Sequence, residues 1–169
     1  AAASIGSGYV DLPFLDNSSL GEGTQFAEVR EFLEPALEVA RANAILVCLE
    51  TDLDSAKVRS LLDSLDHPAA AVCYDSGNSA SLGHGIDQEF SAYGERIRSV
   101  HIKDRVRGGG TVPLGAGDAD FDALFEQLER VSYAGPLILQ AARGHDYLEA
   151  ARRSIRFLNP YVTPEGLKC

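Results

Sequence analysis

Two stretches of this chain, AILVCL at 44–49 and AAAVCY at 69–74, carry no charged or strongly polar side chain. A strand with one wet face alternates apolar and polar residues. A run without alternation has to be covered on both sides, as in a parallel sheet flanked by helices. The segments between such runs have the helical period: Phe26, Val29, Leu33, Leu37 and Ala40 form one stripe, and Val58, Leu61, Leu62 and Leu65 a second. Phe121, Leu124, Phe125, Leu128 and Val131 form a third. Three further strand-like runs at 9–15, 97–102 and 136–139 fall into the same rhythm. The order β-α-β-α-β-α-β-α-β-α predicts five parallel strands joined by right-handed crossovers. It is read as one domain over 1–169, without internal repeats beyond this rhythm, a linker or a second domain.

Local signals refine the reading. Pro35 is expected to kink or divide the first helix near Glu34. Asp54 caps the second, and Asp118 or Asp120 the one that starts at Phe121. SGNSASLGHG (76–85) reads as a loop before a short helix at 86–93. Asp146 and Glu149 fit a capping box for a closing helix whose apolar side includes Tyr147, Ala151 and Ile155. The tail beyond Pro160 is expected to be irregular. His67, His84 and His145 read as exposed loop or cap residues.

Each of the last four strand-like runs ends in a residue able to bind a metal. Glu50, Asp75, His101 and Gln140 follow one another at intervals of 25, 26 and 39 residues, about one βα unit each. The carboxyl ends of parallel strands are where side chains converge on substrates. One polar residue there merely marks a strand reaching water; four in succession favour a shared site. Two carboxylates, an imidazole and an amide oxygen are mostly hard donors, which suit one Mn²⁺, Mg²⁺ or Co²⁺ better than Zn²⁺. Two residues earlier in each run come Cys48, Cys73, Ser99 and Ile138, mostly small, as expected one layer deeper on the same face.

The strand ending in His101 opens into SVHIKDRVRGGGTVPLGAGD (99–118). Lys103 and Arg105 share the parity of His101, whereas Asp104 faces the other way. The glycines match neither a phosphate loop nor a dinucleotide fingerprint and are read as a mobile loop over the site. A formal net charge of −10 argues against a nucleic-acid surface. No run approaches the roughly 18 apolar residues of a membrane span, and the first residues lack a basic, signal-like start. Three cysteines without metal or disulfide spacing read as buried or terminal thiols of a reducing cytoplasm.

With these residues in view, the chain resembles the xylose-isomerase-like superfamily, in its sugar and sugar-phosphate isomerase and epimerase branch. The matching pieces are PFLDNSSL (13–20), LETDL (49–53), YDSGN (74–78), VHIKDR (100–105), PLGAGDADF (113–121) and YAGPLILQ (133–140). The resemblance implies a (β/α)8 TIM barrel, of which this chain carries the last five βα units. The first three strands would come from the same or another polypeptide, since a whole barrel takes about 250 residues. It further implies one divalent metal held by Glu50, Asp75, His101 and Gln140, and a cytoplasmic enzyme, as a homodimer or alone. That enzyme would move a proton between adjacent carbons of a ketose or its phosphate through an enediolate.

The catalytic positions are then Glu50 and Gln140. The family usually has glutamate at the latter, and an amide cannot serve as a base there. Asn78, Lys103, Arg105 and Arg143 are the substrate-binding candidates, with the last two suited to a phosphate. Two alternatives stand beside this reading. One is a non-catalytic sugar-binding or scaffold relative, motivated by Gln140. The other, an apurinic-site endonuclease, is disfavoured by negative charge and by a histidine-free loop after His101.

Overall fold

A computed structural model describes residues 2–21, 23–142, 146–163 and 166–167; Arg143 and His145 lie outside them. In chain order the elements are β1 (Tyr9–Phe14), α1 (Phe26–Ala42), β2 (Leu46–Thr51), α2 (Ser55–Leu65), β3 (Ala70–Asp75), α3 (Ser76–Leu82), α4 (Ile86–Tyr93) and β4 (Ile97–Ile102). A small hairpin follows, β5 (Asp104–Arg105) with β6 (Thr111–Val112), then α5 (Phe121–Arg130), β7 (Leu137–Leu139) and α6 (Tyr147–Leu158). β8 (Val162–Thr163) and β9 (Gly166–Leu167) pair antiparallel. The main sheet has the order β1-β2-β3-β4-β7, every pairing parallel. This is a partial α/β barrel of five βα units.

The pleat divides the strand residues between two environments. Val47, Leu49, Val72, Tyr74, Val100 and Ile102 join the helices in the main apolar core. Cys48, Ala71 and Cys73 pack together as a separate cluster on the opposite face, with Tyr9 and Leu46 against it. Glu50, Asp75 and His101 continue that second face toward the strand ends. The expected deeper layer is there: Cys48 and Ser99 are fully buried and Cys73 nearly so.

Five local expectations need correction. Helix α1 runs unbroken through Pro35. Pro35 lies on the exposed side, as does Glu31, whose carbonyl lacks an N–H partner four residues on at a position open to solvent. β2 extends to Thr51, which places Glu50 inside the β1–β2 ladder. The stretch expected as a loop after Asp75 is helix α3, nucleated by Asp75 itself, whose side chain accepts the Asn78 N–H at 2.8 Å. Its small residues serve close packing: a Cβ on Gly77 would stand 2.7 Å from Lys103 Cγ. In α6 the expected inward stripe faces out, with Tyr147 74% and Ile155 58% exposed, while Ser154 and Leu158 are buried. The tail forms the short β8–β9 pairing rather than irregular chain.

The glycine-rich stretch is pinned at several points. Asp104 is fully buried and accepts the N–H groups of Gly115 (2.9 Å), Gly117 (2.9 Å) and Ala119 (3.1 Å). Asp118 accepts the Arg107 N–H and donates its own N–H to Arg105 O. Asp120, not Asp118, caps α5. The loop expected to be mobile is thus fastened to β5 through Asp104 and Arg105.

Candidate metal centre

Each candidate ligand reaches the site because its strand ends there. β2 presents Glu50, β3 closes on Asp75, β4 carries His101 in register with Asp75, and Gln140 follows β7, its N–H bonded to Ile102 O. Glu50, Asp75 and His101 are all buried, and their ligand atoms lie within 4.8 Å of one another. His101 Nδ1 stands 3.4 Å from Glu50 Oε2 and 3.8 Å from Asp75 Oδ2. Gln140 Nε2 lies 2.9 Å from the same Nδ1; turned over, that amide would present Oε1 there instead. The four sequence-read candidates therefore converge on one point.

The electrostatics of the cluster favour the ionised form of Asp75 and the charged form of His101. Burial alone would raise the Asp75 carboxyl. Hydrogen bonding to His101, the Lys103 ammonium and the Asn78 N–H outweigh it, and they hold Asp75 below the usual carboxylate range. Burial likewise works against a charged His101 ring, yet Asp75, Cys73 and Glu50 push it up to about 12. A positive charge is favoured between these carboxylates. Two hard carboxylates, an imidazole and an amide, gathered without a neighbouring thiolate, fit a divalent cation of the hard or borderline kind. Cys73 forms another possible ligand group with Asp11 and His101, but burial raises its thiol pKa, so it is a poor ligand near neutral pH.

Of the substrate-binding candidates, Asn78 is buried and Lys103 and Arg105 are half-buried beside the ligand group, and all three have internal partners; Arg143 lies outside the described residues. Asn78 Oδ1 accepts from Lys103 Nζ at 3.1 Å and Arg105 Nη1 at 2.9 Å, and its Nδ2 donates to Glu50 Oε1 at 2.8 Å. Two cations on the oxygen leave the amide only one sensible orientation, with its nitrogen on Glu50. Lys103 Nζ also reaches Asp75 Oδ2 at 3.2 Å, and Arg105 holds Gly109 O through Nε and Nη2. Asn78 is thus a clamp on Glu50. Lys103 retains a third ammonium proton for an incoming oxygen.

Sequence reasoning passed over Asp11. It sits in β1, opposite Cys48 on β2, yet its Oδ2 reaches Ser99 Oγ (3.1 Å) and His101 Nε2 (3.2 Å) on β4. The alternation in YVDLPF was the available signal: Val10, Leu12 and Phe14 share one parity, which leaves Asp11 on the ligand face.

Behind the centre, buried Glu89 on α4 accepts from Tyr74, Ser79 and Tyr93 hydroxyls. His84 approaches it at 3.5 Å, so the residue expected to be exposed is half-buried and paired with Glu89. The hydrogen bond to Glu89 raises the His84 pKa above 6.5. The sign follows from linkage. A raised folded-state pKa means this contact stabilises fully below about pH 6.5 and is lost as pH rises through the raised value. Urea midpoints from pH 5 to 9 should therefore fall less steeply in His84→Gln than in the parent; parallel profiles would discard the pair as a titrating contact.

Comparison with known proteins gives the same frame. The profile of the xylose isomerase-like TIM barrel family matches residues 1–161. L-ribulose-5-phosphate 3-epimerase UlaE of Escherichia coli is 27% identical over 118 residues, 66% of this chain and 41% of the relative. Among solved structures, a xylose isomerase domain protein from Planctomyces limnophilus superposes with a TM-score of 0.80 at 22% identity, over 94% of this chain and 60% of that one. A xylose isomerase-like TIM barrel protein from Mycobacterium smegmatis, in complex with magnesium, gives 0.72 at 18% identity, over 94% and 62%. The chain thus spans less than half of that curated relative. No helix among the described residues is long and apolar enough to cross a membrane.

Proposed function

Since the chain belongs to the xylose isomerase-like TIM barrel family, we propose that it forms the metal-bearing part of a sugar-phosphate epimerase or isomerase. The observation that carries this reading is the convergence of Glu50, Asp75 and His101 within 4.8 Å at the carboxyl ends of adjacent parallel strands. The UlaE relative suggests a ketose phosphate as the substrate class.

In this reading Glu50, Asp75, His101 and the Gln140 oxygen would hold one divalent cation, Mn²⁺, Mg²⁺ or Co²⁺. When bound, such a cation supplies Lewis-acid stabilisation of oxygens adjacent to the reacting carbons. The proton itself is moved by Glu50. Its Oε1 is fixed by Asn78, which leaves Oε2 as the face turned into the site. Lys103 and Arg105 keep Asn78 oriented, and the spare Lys103 proton is placed for a substrate oxygen; Arg143 is proposed for the phosphate. The Gln140 amide is too weak an acid and too weak a base to exchange a proton with carbon, so one carboxylate does the work on this side. Burial of the donors keeps water from quenching the carbanion.

Two measurements test this. Mn²⁺ should bind with a stoichiometry near one, and Asp75→Ala should weaken binding by at least about 100-fold, since it removes a ligand and the α3 cap together. Incubation with Mn²⁺ and a panel of ketose phosphates in D₂O should place deuterium on the epimerised carbon. Stoichiometric Mn²⁺ binding without turnover or exchange across the panel would favour the second reading, a sugar-binding relative, which Gln140 specifically supports. Absence of Mn²⁺ binding would remove the metal reading altogether.

A further inference from the structure

We propose that Asp11 is the positioning residue of His101: by accepting the ring's Nε2–H, it turns Nδ1 toward Glu50 and Asp75. This rests on the metal reading above and adds to it a residue from β1, outside the four strands that supply the ligands.

An imidazole has two nitrogens on opposite edges, so a partner on one edge decides what the other edge faces. Here Nε2 lies 3.2 Å from Asp11 Oδ2, and Nδ1 lies 3.4 Å from Glu50 Oε2. Whether the ring is neutral or charged, a proton on Nε2 is satisfied by Asp11. Binding a cation through Nδ1 then requires no rotation. A carboxylate behind a ligating histidine also makes the imidazole a stronger donor.

The carboxylate is itself held in place. Ser99, two residues before His101 on the same strand, donates Oγ–H to the same Oδ2 at 3.1 Å. Asp11 reaches β4 from β1 with β2 and β3 between them in the sheet order. That reach depends on curvature and on a low floor, and the intervening positions are Cys48, Ala71 and Cys73. Its other oxygen, Oδ1, is buried without a hydrogen-bond partner, and the Cys48 thiol lies beside the carboxylate. A half-buried acid with one oxygen buried and unpartnered calls for a role. Orienting a metal ligand supplies one.

The test compares the parent protein with Asp11→Asn and Asp11→Ala, each checked for an unchanged far-ultraviolet spectrum. Mn²⁺ is titrated by the electron-paramagnetic-resonance signal of the free ion. The expected result is a loss of affinity of about 10–100-fold in Asp11→Ala, with Asp11→Asn between it and the parent because an amide oxygen still accepts but carries no charge. In metal-free protein labelled with ¹⁵N-histidine, the parent should show an exchange-protected Nε2–H proton of His101, absent from Asp11→Ala; a merely structural aspartate would move neither readout selectively. A folded Asp11→Ala protein that binds Mn²⁺ within twofold of the parent overturns the positioning role while leaving the metal reading intact. A parent that binds no Mn²⁺ overturns the metal reading, and the positioning role with it.

Discussion

Glu50→Gln should remove deuterium incorporation at the substrate carbon by about 10³-fold or more while leaving the protein folded. The fold should survive because a glutamine is nearly isosteric with the glutamate it replaces. Asn78 Nδ2 donates to Glu50 Oε1 at 2.8 Å, and a glutamine oxygen accepts that bond equally well. The chemistry should not survive, for two reasons that act together. An amide cannot take a proton from carbon, and general-base catalysis alone accounts for about 10²–10⁴ in rate. The substitution also removes one of two carboxylates from the ligand group, weakening the hold on a cation. The readout is proton NMR of a ketose phosphate in D₂O with saturating Mn²⁺. Exchange that persists undiminished in Glu50→Gln would relocate the base.

The second large effect concerns stability. Asp104→Ala should lower the unfolding free energy by about 3–5 kcal/mol. Asp104 is fully buried, and its two oxygens accept three backbone N–H groups from Gly115, Gly117 and Ala119. Truncation leaves those three donors without their partner; each orphaned donor costs about 1–3 kcal/mol where it cannot reach water. The turn cannot simply collapse onto the vacancy. Gly117 already sits so close to β5 that a Cβ there would stand 2.6 Å from Arg105 O. Asp104→Asn should cost less, because one acceptor remains while the new NH₂ group faces donors. Urea unfolding at constant m-value decides the matter, and a loss below about 1 kcal/mol would mean that the loop is held by other contacts.

The ligand set was legible because of a coincidence of two simple signals. Short apolar runs mark buried parallel strands, uninterrupted at 44–49 and 69–74, and Glu50, Asp75, His101 and Gln140 stand at the ends of four successive runs. Nothing beyond local pattern is needed to align them. Asp11 escaped because its partner is on β4, ninety positions along the chain; the sheet curvature that brings them together leaves no trace in YVDLPF. The role of Asn78 as a clamp on Glu50 is not legible in the sequence, because its surroundings, two cations and a carboxylate, assemble only in three dimensions. The helix at Ser76–Leu82 has weak intrinsic propensity, with three serines and a glycine, and exists through the Asp75 cap and its packing under Lys103. In α6 both sides carry apolar residues, so the choice between Ile155 and Leu158 as the inward one fell to the sheet.

The strand order β1-β2-β3-β4-β7 has a consequence for how the centre comes into being. In the main sheet every ladder joins strands that follow one another in the chain, so each closure spans a single βα unit and none waits for a distant segment. The donors are accordingly delivered in the order of synthesis: the Asp11 carboxylate first, then Glu50, Asp75, His101 and finally the Gln140 amide. A nascent chain gathers negative charge on one face until β4 brings the imidazole that lies among it. Docking of that fourth strand is the step at which accumulated repulsion turns into attraction, and it makes β4 the keystone of assembly as well as of the site.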